Sequence, residues 1–330
     1  MKIYINMVPG VIKDTFFTPE VIERFAKAGE VEYNMGDEPL GGEELGKKLE
    51  NFDVLVTGWR QPMLTDKNLG NIKMIVHTAG TVNSFIDPSV FDTGVVVLSG
   101  NNYFADSVAE GVIGYMLFAL RDMGKYTNDM NNGIWTPSIQ SKTRGLIGKK
   151  VGIVSYGAIG KRVCKLLNCF DTKILVYSNH QNEEEAKKYN FTYASLEEIF
   201  STCDIVSIHT AKRPETNKMI NDKHFKLLKD GAVFLNTARG SVIDQDALIE
   251  NLKEKRFTAV LDVYNREPLP SDSELVGLEN AILFPHQAGP TVDLRSYIAD
   301  HLLDDIIRFF DGKEPINVIT KEMAARMSNA

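Results

Sequence analysis

Short apolar runs that alternate with amphipathic segments, in two successive series, limit this fold more than any other feature. In residues 1–100 the runs are Ile3–Met7, Val31–Tyr33, Val54–Thr57, Met74–His77 and Val95–Leu98. Helical patterns such as Pro19–Ala28 and Glu43–Asn51 lie between them. The alternation restarts at Lys150 with Val151–Ser155, Ile174–Tyr177, Ile205–His209, Ala232–Leu235, Thr258–Leu261 and Ala281–Phe284. Apolar runs this short read as buried strands, and strands alternating with helices wind as parallel βαβ units. The pattern predicts an α/β protein with two doubly wound parallel sheets, the second of six strands. A chain of 330 residues also exceeds one typical core.

Two long helical patterns flank the second series. Ala105–Tyr126 is apolar nearly all round, with Val108, Val112, Ile113, Tyr115, Met116, Phe118 and Leu120, and is expected to be buried. Val292–Phe310 carries a stripe at Leu294, Ile298, Leu302 and Ile306, with Gly312 as its stop. Thr127–Thr143 is polar and rich in Asn, and reads as a linker or excursion. The layout predicts a discontinuous substrate domain, residues 1–101 and 292–330, with a dinucleotide-binding domain inserted as residues 102–291.

Composition narrows the partners. The formal net charge is −7 and no basic stripe is present, which argues against nucleic acid or an anionic membrane surface. The longest unbroken apolar stretch, Val112–Leu120, falls short of the roughly 20 residues a membrane helix needs. Cys164, Cys169 and Cys203 are odd in number and lack metal-type pairing, so they read as free thiols in a reducing cytosol. No signal-peptide pattern follows the first run. A cytoplasmic protein with neither a metal site nor a membrane partner is expected.

The segment from Val151 to Lys161 reads as strand, tight turn and helix. Gly157 stands where backbone approaches a pyrophosphate, and Gly160 where the helix packs closely on the strand. Ser155 replaces the usual first glycine. Tyr156, Ala158 and Ile159 complete the turn, and the helix N-terminus offers N–H groups to a diphosphate. Dinucleotide binding is expected here. The second strand ends in Ser178-Asn179-His180, with no carboxylate for the ribose hydroxyls. Two readings stand. Either Ser178 and Asn179 tolerate a 2′-phosphate beside His180 or the Lys212–Arg213 pair, or these are solvated loop residues and NAD is used weakly or dually. The cofactor is NAD or NADP.

The last three strands each run into a chemically loaded segment. These are Asn236-Thr237-Ala238-Arg239-Gly240, Asp262-Val263-Tyr264-Asn265-Arg266-Glu267-Pro268 and Pro285-His286-Gln287-Ala288-Gly289. Ligands of open α/β sheets bind at the carboxyl ends of strands. An arginine, a carboxylate and an imidazole converging there can bind an anion and move a proton.

With these segments the chain resembles the D-isomer-specific 2-hydroxyacid dehydrogenases over nearly its whole length. Ser107-Val108-Ala109-Glu110, Gly148-Lys149-Lys150-Val151-Gly152 and Pro214-Glu215-Thr216 belong to the same resemblance. It implies that Arg239 holds the substrate carboxylate and 2-oxo oxygen, that His286 is the acid/base, and that Glu267 orients the imidazole and stabilises its charge. Asp262 would bond the nicotinamide carboxamide, while His209, Thr237 and Ala238 would line the cofactor pocket, although His209 also reads as structural. The Thr78–Thr81 loop would offer the N–H groups of Ala79 and Gly80 to the substrate carboxylate. Arg60 is either a contact to a second anionic group or an exposed loop arginine. His77 reads as a core histidine, and Trp135 as part of an inter-subunit arm.

The resemblance further implies a cytosolic homodimer that moves a hydride between NAD(P)H and a small 2-oxo acid, giving a D-2-hydroxy acid reversibly. Glyoxylate, hydroxypyruvate and 3-phosphohydroxypyruvate types belong to this class, with formate and phosphite oxidisers as substrate variants. No long further domain follows Asn317, which disfavours an amino-acid-regulated biosynthetic form. The alternative is a dinucleotide-sensing co-repressor or binding module on the same fold.

Overall fold

The apolar runs fold as the strands of two separate all-parallel sheets. The computed structural model describes residues 1–328. The chain divides into two units: Met1–Ala105 together with the chain from Pro290, and Asp106–Gly289.

The first unit holds β1 (Lys2–Asn6), β2 (Glu30–Tyr33), β3 (Val54–Thr57), β4 (Met74–His77) and β5 (Val96–Ser99). Their order, β2-β1-β3-β4-β5, is the flavodoxin-like doubly wound order. Alternate side chains go to opposite faces. Ile3, Ile5, Val54 and Val56 pack with Ile298, Leu302 and Ile306 of the helix Val292–Phe310. Tyr4, Leu55, Ile75 and Val97 pack with Leu45 and Leu49 on the other side. Helix Val292–Phe310 ends where predicted: Gly312 takes φ 74° and its N–H donates to Phe309 O at 3.0 Å. Buried Asp305 then accepts from the N–H groups of Ile316 and Asn317, at 2.7 and 2.9 Å. That bracket lays Val318 antiparallel against Leu98 and covers the β5 edge. His77 is a core residue. Its Nδ1 lies 3.0 Å from Thr57 Oγ1, and burial pushes its imidazole down to about 3.

The second unit holds β6 (Lys150–Val154), β7 (Lys173–Tyr177), β8 (Phe191–Tyr193), β9 (Ile205–Ile208), β10 (Val233–Asn236), β11 (Thr258–Leu261) and β12 (Ala281–Leu283). The order is β12-β11-β10-β9-β6-β7-β8. The winding reverses between β6 and β9, which makes their carboxyl ends the expected ligand crevice. Val154, Val206, Ile208 and Phe234 face one core, and Ile153, Val176, Leu235 and Val260 the other. The sheet has a seventh strand the sequence reading lacked. β8 is only Phe191-Thr192-Tyr193, too short for a run, and it pairs because it lies beside β7.

The expected continuous helix Ala105–Tyr126 is two helices, Asn101–Leu120 and Met123–Asn131. The chain turns at Asp122, which takes φ 48°. The stretch read as a linker from Thr127 is therefore helical as far as Asn131. Among the described residues, Asn101–Leu120 is long and apolar enough to cross a membrane, which a count of Val112–Leu120 alone missed. Its Ala109, Val112, Met116 and Leu120 are instead core residues packed with Val151, Ile153 and Val233.

Candidate active site

The turn after β10 is shaped by the first residue of its segment, to which the sequence reading gave no role. Buried Asn236 accepts from Ala238 N–H and donates to Arg239 O, both at 3.1 Å. Arg239 follows directly, and its Nη1 donates to Ala238 O at 2.6 Å. No carboxylate lies within salt-bridge distance of this guanidinium among the described residues. Burial pushes its value down and the charge of Glu267 pulls it the other way. Next in the chain is Gly240, where a Cβ would run into the backbone of Tyr264. Only glycine lets the loops after β10 and β11 come this close.

The loop after β11 carries Glu267. Its Oε1 accepts from Tyr264 N–H at 3.0 Å, and its Oε2 lies 2.7 Å from Nδ1 of His286 in the loop after β12. An ionised carboxylate can only accept, so Nδ1 carries the proton of that bond. Nε2 is left without a partner among the described residues, on a side chain 49% exposed. His286 itself takes φ 57°, a left-handed conformation unusual for a residue with a Cβ.

Asp262, at the end of β11, is 1% exposed and is bonded by the protein on both oxygens. Its two oxygens accept from the N–H groups of Gln287 and Ala288, at 2.7 and 2.9 Å. Tyr115 Oη donates to the same carboxylate at 3.1 Å. These bonds hold the loop that carries His286.

The nucleotide end lies at β6, β7 and β9. Ser155 takes φ 81° at the position of the usual glycine, a conformation that costs a side-chain-bearing residue roughly 1 kcal/mol or more. Its Oγ is paired with Thr210 Oγ1 at 2.8 Å, which helps hold the turn. At Gly157 a Cβ would meet open space, whereas at Gly160 it would strike the Ser155 carbonyl. Gly157 caps the helix Ala158–Leu167 with no side-chain bond over its first N–H groups. Ala158 and Ile159 form its half-buried first turn. Tyr156 turns away, its Oη donating to Glu185 Oε2 at 3.0 Å.

Nδ1 of His209 after β9 and Oγ1 of Thr237 after β10 are buried and have no partner among the described residues. Buried polar atoms are nearly always paired, so the crevice fits a group that brings hydrogen-bond partners. His209 is neutral, because burial pushes it down to about 3, and its Nε2 lies 3.0 Å from Ser207 Oγ. Ala238 is buried beside Thr237. Ser178 Oγ donates to His180 O at 2.8 Å and accepts from His180 N–H, while Asn179 is exposed.

The first unit has its own polar loop after β4. Ser99 Oγ lies 2.9 Å from Ala79 O and 2.5 Å from Gly80 O, which turns both carbonyls inward. The N–H groups of Ala79 and Gly80 have no partner among the described residues. Arg60, exposed with φ 59°, has no hydrogen bond or ion pair there either. The structure thus joins His286, Glu267 and Asp262 by direct bonds or through one loop, and leaves Arg60, Ala79 and Gly80 in the other unit.

Residues 113–288 match the sequence profile of the D-isomer specific 2-hydroxyacid dehydrogenase NAD binding domain. The chain is 31% identical over 300 residues to a glyoxylate reductase of Thermofilum pendens, covering 87% of each. It is 29% identical over 300 residues to a glycerate dehydrogenase of Methylorubrum extorquens, covering 87% of this chain and 92% of that one. Its fold matches a D-lactate dehydrogenase of Lactobacillus jensenii solved with NAD+, at TM-score 0.78 and 24% identity, over 97% of this chain and all of that one. On this match of profile, sequence and fold, the chain belongs to the D-isomer specific 2-hydroxyacid dehydrogenase family, enzymes dependent on NAD or NADP.

Proposed function

We propose that this protein reduces a small 2-oxo acid to the D-2-hydroxy acid, and runs the reverse reaction when the cofactor is oxidised. One observation carries the reading. At a single sheet edge stand a guanidinium with no carboxylate partner among the described residues and an imidazole bonded at Nδ1 and, among the same residues, open at Nε2. The nicotinamide cofactor, when bound, supplies or takes up the hydride. Arg239 binds the substrate carboxylate through its planar fork of donors and polarises the 2-oxo oxygen. His286 donates its Nε2 proton to that oxygen as the carbonyl carbon gains the hydride, and takes the proton back in reverse. Glu267 holds Nδ1 and stabilises the imidazolium. The N–H groups of Ala79 and Gly80, without a partner among the described residues, suit an anionic group, and Arg60 suits a second one. Glyoxylate, which the name of the glyoxylate reductase prints, and hydroxypyruvate, the 2-oxo acid whose reduction gives glycerate, head the candidate substrates. The test supplies NADH and NADPH separately with a panel of 2-oxo acids and resolves product chirality. The reading expects consumption of reduced cofactor and a D product. Cofactor binding with no turnover on any member would instead support a dinucleotide-sensing module.

Residues 157–160 with the helix Ala158–Leu167 are the proposed diphosphate cradle, and Ser178 and Asn179 the proposed ribose contacts. Ser178→Asp introduces a carboxylate that accepts from ribose hydroxyls and repels a 2′-phosphate. The ratio of NADPH to NADH dissociation constants, read by direct fluorescence titration, is expected to rise by about tenfold or more, equal to ~1.4 kcal/mol. An unmoved ratio would remove the ribose from Ser178.

A homodimer is also proposed. Met130, Ile134, Trp135 and Ile139 are exposed on one short stretch, Ile139 to 92%, and apolar clusters of this kind mark contact surfaces. Light scattering is expected to return twice the chain mass, and Trp135→Ala with Ile139→Ser together to return the monomer mass.

A further inference from the structure

Ser107, Gly111 and Tyr115 are spaced four residues apart, so they form one stripe along the helix Asn101–Leu120. Each meets the chain around His286. Ser107 Oγ donates to Gly289 O at 3.2 Å. At Gly111 a Cβ would sit 3.3 Å from Ala288 Cα, so the missing side chain is what admits that backbone. Tyr115 stacks on Phe284, ring centroids 4.0 Å apart and planes 11° from parallel, and its Oη donates to Asp262. Tyr115 therefore grips both sides of the histidine: Phe284, two residues before it, by the stack itself, and Gln287 and Ala288 after it through the Asp262 carboxylate.

We propose that this stripe is the seat that aims His286, and that Tyr115 is a positioning residue for catalysis acting through Asp262. The inference rests on His286 being the acid/base. A left-handed non-glycine residue keeps that conformation only when its surroundings impose it, and here the bonds on either side impose it. Burial, and the Asp262 charge beside it, push the Tyr115 phenol up, so it remains a donor. Asp262 is buried and has no cationic partner among the described residues. Losing the phenol leaves its Oδ1 with the Gln287 amide alone. The carboxylate then clamps the loop less firmly, and Nε2 spends less time in line with the substrate oxygen.

The test is Tyr115→Phe, which keeps the stack on Phe284 and deletes only the hydroxyl, with Gly111→Ala as a second variant that presses on Ala288 instead. In Tyr115→Phe, kcat is expected to fall about tenfold, the scale of one lost hydrogen bond to a charged acceptor. The KM for the 2-oxo acid and direct NAD(P)H binding should stay within about twofold, because Arg239 and the phosphate loop are untouched. The downfield proton signal of the His286 Nδ1–H···Glu267 bond, assigned by its absence in His286→Gln, should weaken in both variants. Two results would overturn the proposal: an unchanged kcat with an unchanged signal, or a loss of activity shared equally by kcat, KM and cofactor binding. Turnover retained in His286→Gln would sink the catalytic reading itself, and this inference with it. Turnover lost there but kept in both helix variants would sink this inference alone.

Discussion

His286→Gln is expected to lower kcat for 2-oxo acid reduction by about 10³-fold, within the range that positioned acid–base groups supply. Glutamine is of similar reach and can still meet Glu267, but it has no proton to exchange at the position of Nε2. The side chain is 49% exposed and its one hydrogen bond among the described residues is to Glu267, so the fold has little reason to weaken. NAD(P)H affinity should change by no more than about twofold, since the phosphate loop lies on β6 and uniform binding is untouched by loss of a transition-state group. Stopped-flow reduction with directly titrated cofactor separates the two quantities. A kcat within tenfold of the parent would mean the proton comes from elsewhere.

Arg239→Met should have a comparable or larger effect on kcat/KM, about 10³- to 10⁴-fold, because hydrogen bonds to charged groups contribute ~1.5–3 kcal/mol each and the fork makes two. Arg239→Lys keeps the charge but loses the planar pair of donors, and should recover only part of that loss. Stability should move the opposite way. The guanidinium makes one bond among the described residues, to the neighbouring Ala238 carbonyl, and burial disfavours its charge. Methionine fills similar volume without that penalty, so thermal unfolding should occur at the same temperature or slightly higher. A variant that loses activity and stability together would mark Arg239 as a structural arginine.

Much of this was legible in the sequence, for identifiable reasons. Strands buried on both faces must be apolar throughout, so β1, β3, β4, β6, β9 and β11 announce themselves as runs, and the chemistry falls where those runs stop. Arg239, Glu267 and His286 were visible because motif and strand end coincide. β8 was not, because three residues beside an existing edge need no run of their own. The turn at Asp122 was not, because apolar residues continue in number on either side of it. The role of Tyr115 was hidden by its periodicity: it reads as one more apolar position of a buried helix, while its hydroxyl serves a strand end 147 residues away. Asp262 shows the reverse case. Its motif was visible and pointed to the nicotinamide, but its bonds to Gln287, Ala288 and Tyr115 depend on tertiary structure that no local pattern encodes. Ser155 read as a departure from a glycine pattern, and the structure shows how it is accommodated, through Thr210.

The proposed reaction is hydride transfer onto the carbonyl carbon of a 2-oxo acid at the Arg239–His286 edge. The most direct measurement uses nicotinamide carrying deuterium at the transferring position, with the best 2-oxo acid of the panel and mass analysis of the product. The wild-type protein should place one deuterium on C2 of the D-2-hydroxy acid for each cofactor oxidised, and His286→Gln should form almost none of that product in the same time. Oxidised cofactor without deuterium at C2, or bound cofactor with no product at all, would rule this reaction out.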